Sequence, residues 1–260
     1  MRQSVRGIAV VIPAHDEQEL LGACLASVRH ALEHPRVRDL PSTVVVVLDH
    51  CTDRSRDVAQ AHLRPADLLI DTSSRNVGAA RALGCRVALD HLHRHGTSAG
   101  SSWLAHTDAD TRVPSWWIAR HLHYARTADA VAGVVRVDDW SQHPLGTEHR
   151  FSRHYGGSGH ATKVEASGIG HPHVHGANLG VRGDAYLRAG GFPSVSCSED
   201  HGLWNAIARG GDSMLSSRRL WVTTSGRRAG RAPGGFADAL TELAVGQERG
   251  REIGSSTRRP

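Results

Sequence analysis

No apolar run in the sequence approaches the ~20 residues needed to span a bilayer. The opening MRQSVRG is too polar for a signal peptide, so no transmembrane segment and a cytoplasmic location are expected. The cysteines at 24, 51, 85 and 197 form no CxxC pair. Three of them fall inside apolar helical or strand-end patterns, which points to buried free thiols rather than disulfides or zinc. A Walker A lysine motif is missing, and no GxGxxG follows the first strand, which counts against kinase-like and dinucleotide-binding chemistry. There is also no nucleic-acid-binding signature, no internal repeat and no clear linker.

What is present begins with charge. The net charge of +5 is not gathered into one stripe, although Arg227, Arg228, Arg231, Arg249, Arg251, Arg258 and Arg259 crowd the C-terminal end. That distribution suits an anionic substrate or a peripheral membrane contact, and nucleic acid is not expected as a partner. Of the 19 histidines, HLHRH (91–95) continues a helical pattern and HPHVH (171–175) contains Pro172 and precedes a glycine. Neither has the helical i, i+4 pair with a glutamate that a metalloprotease needs, so surface positions are expected for most.

With 260 residues, 39% hydrophobic and 22% charged, the chain can bury one full core. Ile8 to Ile12 and Val44 to Leu48 are continuously apolar, as in parallel strands covered on both faces. Further strands are expected at 67–71, 103–106, 130–137, 178–182 and 215–224. Helices should fall between them, after Asp16 (with Glu19 as a capping box), after Thr52 or Asp53, over 77–92, after Pro114 at its first turn, and over 183–189 and 199–209. Alternating β and α units predict an α/β fold with a mostly parallel central sheet between two helical layers. Residues 141–172 are polar and aperiodic. We expect one domain over 1–245, with a nucleotide-binding half (8–137), an acceptor and catalytic half (138–245), and a flexible basic tail (246–260).

In a doubly wound sheet, ligands sit at the carboxyl ends of the strands. Three polar clusters fall there: Pro13–Glu17, Asp49–Asp53 and Thr107–Asp110. Each alone reads more readily as helix capping than as chemistry, but all three lie on one edge. Asp108 and Asp110, two apart where a strand leaves the sheet, can point the same way. Hard oxygen ligands with room to spare suit Mg²⁺ or Mn²⁺ carrying substrate phosphates.

The blocks VVIPAHDE (10–17), VVVVLDHCTDRS (44–55), NVGAARALG (76–84), HTDAD (106–110) and SED (198–200) resemble, in order and spacing, those of family 2 glycosyltransferases. The resemblance implies a GT-A fold, a Rossmann-like three-layer sandwich. It also implies a UDP- or GDP-linked nucleotide-diphospho-sugar donor and an acceptor not readable from these blocks. It would put Pro13, Ala14, His15 and Glu17 around the nucleoside, Asp49 on the base, and Gly78 with Arg81 beside base and ribose. Asp108 would face ribose or metal, and Asp110 would be the principal metal ligand. Gly176, Ala177 and Asn178 would line the sugar and acceptor cleft, with Glu199 beside Asp200, the general base of an inverting, non-processive transfer.

The chain departs from the family at His15-Asp16, often Tyr-Asn, and at Leu48, usually acidic. It also lacks the QxxRW motif and membrane helices of processive synthases. A sugar-phosphate nucleotidyltransferase would open instead with a Gly-rich basic loop, where this chain has the acidic PAHDE. A catalytically silent sugar-nucleotide-binding protein is the remaining alternative, and the carboxylates at 108, 110 and 200 argue against it.

Overall fold

A computed structural model describes residues 3–157, 173–231 and 235–244. Eight strands form one sheet in the order β3-β2-β1-β4-β7-β6-β8-β5. They are β1 (Gly7–Ala14), β2 (Ser42–Asp49), β3 (Leu68–Thr72), β4 (Ser102–His106), β5 (Thr111–Arg112), β6 (Ala130–Val137), β7 (Leu179–Arg182) and β8 (Met214–Thr224). The pairings β1/β2, β1/β4, β2/β3 and β6/β8 are parallel, whereas β4/β7, β6/β7 and β5/β8 are antiparallel. Six strands, β1, β2, β3, β4, β6 and β8, therefore share one direction, and the sheet is mostly parallel, as expected. Strands β7, between β4 and β6, and β5, at the edge, run against it, so one sheet runs through both halves of the sequence.

The helices are α1 (Leu21–Leu32), α2 (Ser55–His62), α3 (Val77–Arg94), α4 (Trp117–Tyr124), α5 (Thr147–Gly157), α6 (Gly183–Arg188), α7 (Glu199–Arg209) and α8 (236–244). The continuous apolar strands are explained by cover on both faces. Ile8, Val10 and Ile12 of β1 join a core with α1, α2 and α4, while Ala9 and Val11 join a second core with α3, α6 and α7. Burying each such valine or isoleucine contributes about 1.5–3 kcal/mol. Among the described residues no helix is long and apolar enough to cross a membrane.

Several local expectations are corrected. Asp16 does not cap α1, which begins at Leu21 with no side-chain cap. Its Oδ1 instead accepts from the backbone N–H groups of Thr52 (2.7 Å) and Asp53 (3.2 Å), tying the β1 loop to the β2 loop. Pro114 is not in the first turn of α4; its carbonyl accepts from Trp117 N, closing a turn before the helix. The aperiodic 141–172 stretch contains α5, and α8 was not expected at all. Two contacts join them: Arg150 Nε donates to the carbonyl of Leu243 (2.8 Å), and Phe151 meets Phe236 edge-on at 5.9 Å. The basic tail (246–260) lies outside the described residues.

Candidate active site

A cavity of about 820 Å³ opens at the carboxyl ends of β1, β2 and β4. Of the residues expected to act, Pro13, Ala14, His15, Glu17, Asp49, Arg81, Asp108, Asp110, Gly176, Ala177, Glu199 and Asp200 line it. Gly78 and Asn178 do not. Gly78 is set behind the wall, its N–H donating to the carbonyl of Val195 (3.3 Å), and an added Cβ would come within 2.1 Å of the Pro193 carbonyl oxygen. Asn178 is fully buried. It accepts from Trp117 Nε1 (2.9 Å) and donates to the carbonyls of Val134 (2.9 Å) and Leu220 (3.1 Å), filling the register break between β6 and β8. It holds together the strands that carry the site.

The loops around the cavity are conformationally costly. Among the described residues, four non-glycine residues have positive φ: Asp16, His50, Arg75 and Ser198. All four line the cavity. Such conformations cost of order 1–3 kcal/mol each and persist only where their surroundings impose them. Asp49 shows how: its carboxylate accepts from Arg75 N (2.8 Å), Asn76 N (2.8 Å) and Ser74 Oγ (3.0 Å), binding the loop after β3 to the end of β2. His15 Nδ1 donates to the Asp49 carbonyl (2.6 Å), fixing its ring at the rim.

Two arginines organise the acids. Arg81 on α3, with its side chain 2% exposed, pairs with Asp108 and, at 3.0 Å, with Glu199. Burial opposes its charge, but Asp108, Glu199 and Asp200 outweigh burial and raise its pKa. Glu199 is pushed up by burial and by Asp200, with Arg81 pulling it down. On the other side, Arg227 bridges Glu17 and Asp110. Burial and Asp108 push Asp110 up to about 6, against the pull of Arg227. Asp200 accepts from the N–H of Gly176 (2.8 Å), so its carboxylate is held against the segment that leads into β7.

Asp108 and Asp110 both reach the cavity, but not through strand alternation. They sit in the turn between β4 and β5, where Thr111 N donates to the Asp108 carbonyl (3.1 Å). Thr224 Oγ1 of β8 donates to Asp110 Oδ1 (3.2 Å), and Ser225 N donates to the Asp110 carbonyl (3.2 Å). The carboxylates of Asp108, Asp110 and Glu17 are hard oxygen donors, the chemistry that Mn²⁺ or Mg²⁺ selects, and the Arg227 guanidinium lies between two of them. A different group, Asp16, Cys51 and Asp53, places its ligand atoms within 4.8 Å of one another. Its Asp16 Oδ1 is already committed to two backbone N–H groups, and its thiol is a softer ligand than these ions select.

In the sequence Arg227 is one of a C-terminal crowd of arginines with nothing to single it out; the structure sets it between Glu17 and Asp110. Phe236 and the rest of α8 along the cavity wall carry no sequence signal, because α8 has no motif. His175 also lines the cavity and meets Phe236 edge-on at 5.9 Å.

No curated protein matches the chain. Among solved structures, residues 1–349 of S. aureus TarS superpose with a TM-score of 0.55 at 12% identity, over 84% of this chain and 60% of that one. The same protein in complex with UDP-GlcNAc gives 0.58 at 13% identity, over 91% and 64%. The mannosyltransferase PcManGT from Pyrobaculum calidifontis, in complex with GDP-Man and Mn2+, gives 0.55 at 21% identity, over 91% and 68%. This chain thus spans about three fifths of the TarS chain, and at these identities the likeness shows the fold, that of the GT-A glycosyltransferases. The sequence profile of glycosyl transferase family 2 matches residues 9–187. A GT-A sheet with its acids on one rim and a family match over more than half its length lead to one conclusion: the chain belongs to glycosyltransferase family 2.

Proposed function

We propose that the protein moves a sugar from a UDP- or GDP-linked donor to an acceptor hydroxyl, with inversion, in a divalent-metal-dependent and non-processive reaction. The observation that carries this reading is the gathering of Asp108, Asp110, Glu199 and Asp200 around one cavity beside the β1 and β2 loops. Structural neighbours bound to UDP-GlcNAc and to GDP-Man support both donor classes. Residues 8–137 would hold the nucleotide, with His15 and Asp49 at the base, and 138–245 would present the acceptor.

Asp110 and Asp108 would hold Mn²⁺ or Mg²⁺, which when bound neutralises charge on the departing diphosphate. Asp200, positioned by the Gly176 N–H, takes the proton from the acceptor hydroxyl. The acceptor oxygen bonds to the anomeric carbon from the face opposite the diphosphate as the bond from that carbon to the diphosphate oxygen breaks. Base catalysis of this kind contributes ~10²–10⁴ in rate. Arg81 orients Asp108 and Glu199 along the donor side.

The test is a panel of UDP- and GDP-sugars, scored by release of nucleoside diphosphate with and without Mn²⁺. Asp200→Asn should retain donor affinity and lose at least ~10²-fold in transfer. Normal transfer by that variant would remove Asp200 from its role.

A further inference from the structure

Arg227 does more than border the cavity. Its Nη1 donates to Glu17 Oε2 at 2.9 Å and its Nη2 to Glu17 Oε1, while Nη2 also lies 2.9 Å from Asp110 Oδ2. Glu17 is 6% exposed and Asp110 15%, so two poorly hydrated carboxylates from different strand ends share one positive charge. The surrounding backbone is pinned. Gly226 gives its carbonyl to His143 Nε2 (2.6 Å), and a Cβ on Gly226 would fall 1.9 Å from the Asp139 carbonyl oxygen. Ser225 Oγ accepts from Arg227 N (3.3 Å). With the main chain anchored, side-chain rotation alone can carry the guanidinium from the acids to a ligand in the same cavity.

We propose that Arg227 is an internal counter-cation. In the donor-free protein it neutralises Glu17 and Asp110 in place of a divalent ion. When the ion takes those oxygens, Arg227 is released to grip the donor diphosphate, whose geometry its planar fork matches. The first half of this exchange rests on the metal reading above, and the second half on the donor reading as well. By linkage, Arg227 weakens binding of metal alone and strengthens binding of metal and diphosphate together, so the two ligands favour one another. A merely structural ion pair would give no such opposite signs.

The experiment titrates Mn²⁺ alone into wild type, Arg227→Gln and Arg227→Met, the last keeping the aliphatic stem should the glutamine variant fold poorly. UDP and GDP are then titrated at saturating Mn²⁺. Removing the charge should tighten Mn²⁺ binding by roughly tenfold and weaken nucleoside diphosphate binding by a similar factor, within the usual range of coupling between sites. Arg227→Lys should stay near wild type for Mn²⁺. Unchanged or weaker Mn²⁺ binding in the neutral variants, or a lysine variant that follows them, would overturn the proposal. If Mn²⁺ tightens as expected but no protein binds UDP or GDP, the counter-cation stands and the donor reading falls.

Discussion

Replacing Arg81 by methionine tests whether this wall of the cavity is held by charge. The Arg81 side chain is 2% exposed and its partner Glu199 8%, whereas Asp108 is 37% exposed and can recover water. Breaking a buried pair costs about 3–5 kcal/mol, because the remaining ion is left uncompensated. With Asp108 discounted for its exposure, about 3 kcal/mol is expected, nearly all of it through Glu199. For a chain of this size that lowers Tm by about 6–12 °C. The loss should also depend on pH. Glu199 is already raised by burial and by Asp200, and without Arg81 it rises further. A carboxyl whose folded pKa exceeds its unfolded value holds more protons when folded, so stability falls as pH rises through that interval. The variant should therefore be closer to wild type at pH 5 than at pH 7. Adding Glu199→Gln removes the stranded charge and should recover ~1–2 kcal/mol relative to the sum of the single changes. Urea denaturation at both pH values measures all of this. A cost below about 1 kcal/mol, or strict additivity in the double variant, would refute the reasoning.

Two further outcomes follow from other parts of the fold. His121 is fully buried, and burial lowers its pKa to about 3. The unfolded chain therefore binds more protons below about pH 6.5, and lowering pH from 7 to 5 should cost about 2 kcal/mol through this residue alone. In His121→Leu the pH-dependent loss seen by urea denaturation should shrink by that amount; an unchanged difference would show that the ring is hydrated. Gly226→Ala should displace the segment carrying Arg227, since the new methyl meets a backbone carbonyl oxygen at 1.9 Å. It should lower nucleoside diphosphate affinity about as much as Arg227→Gln does, and wild-type affinity would count against the anchored-backbone argument.

How much of this was readable in the sequence depended on how local its cause was. Strands β1, β2 and β6 announce themselves because burial on both faces demands an unbroken apolar run. The acids at 17, 108, 110 and 200 could be singled out because their blocks keep a fixed order and spacing. Strand β5 has two residues, too few for any pattern, and exists because Thr111 pairs with Thr224 far along the chain. Helix α5 has no apolar stripe; Phe151 and Arg150 secure it against α8. The Asp16 pattern read as a capping box because Asp and Glu stand three apart, yet the loop after β2 offered closer N–H groups. Arg227 was the hardest to assign, since its partners lie 210 and 117 positions away in sequence.

The seat of Asp110 is built by a strand that leaves the ribosome about a hundred residues after it. Until Thr224 and Ser225 are in place, neither the Asp110 side chain nor its carbonyl has these fixed partners. A nascent chain that has delivered only its first half therefore owns the acids without the cage that aims them. Competence to hold the proposed ion should appear abruptly, late in synthesis, when β8 slides in beside β6.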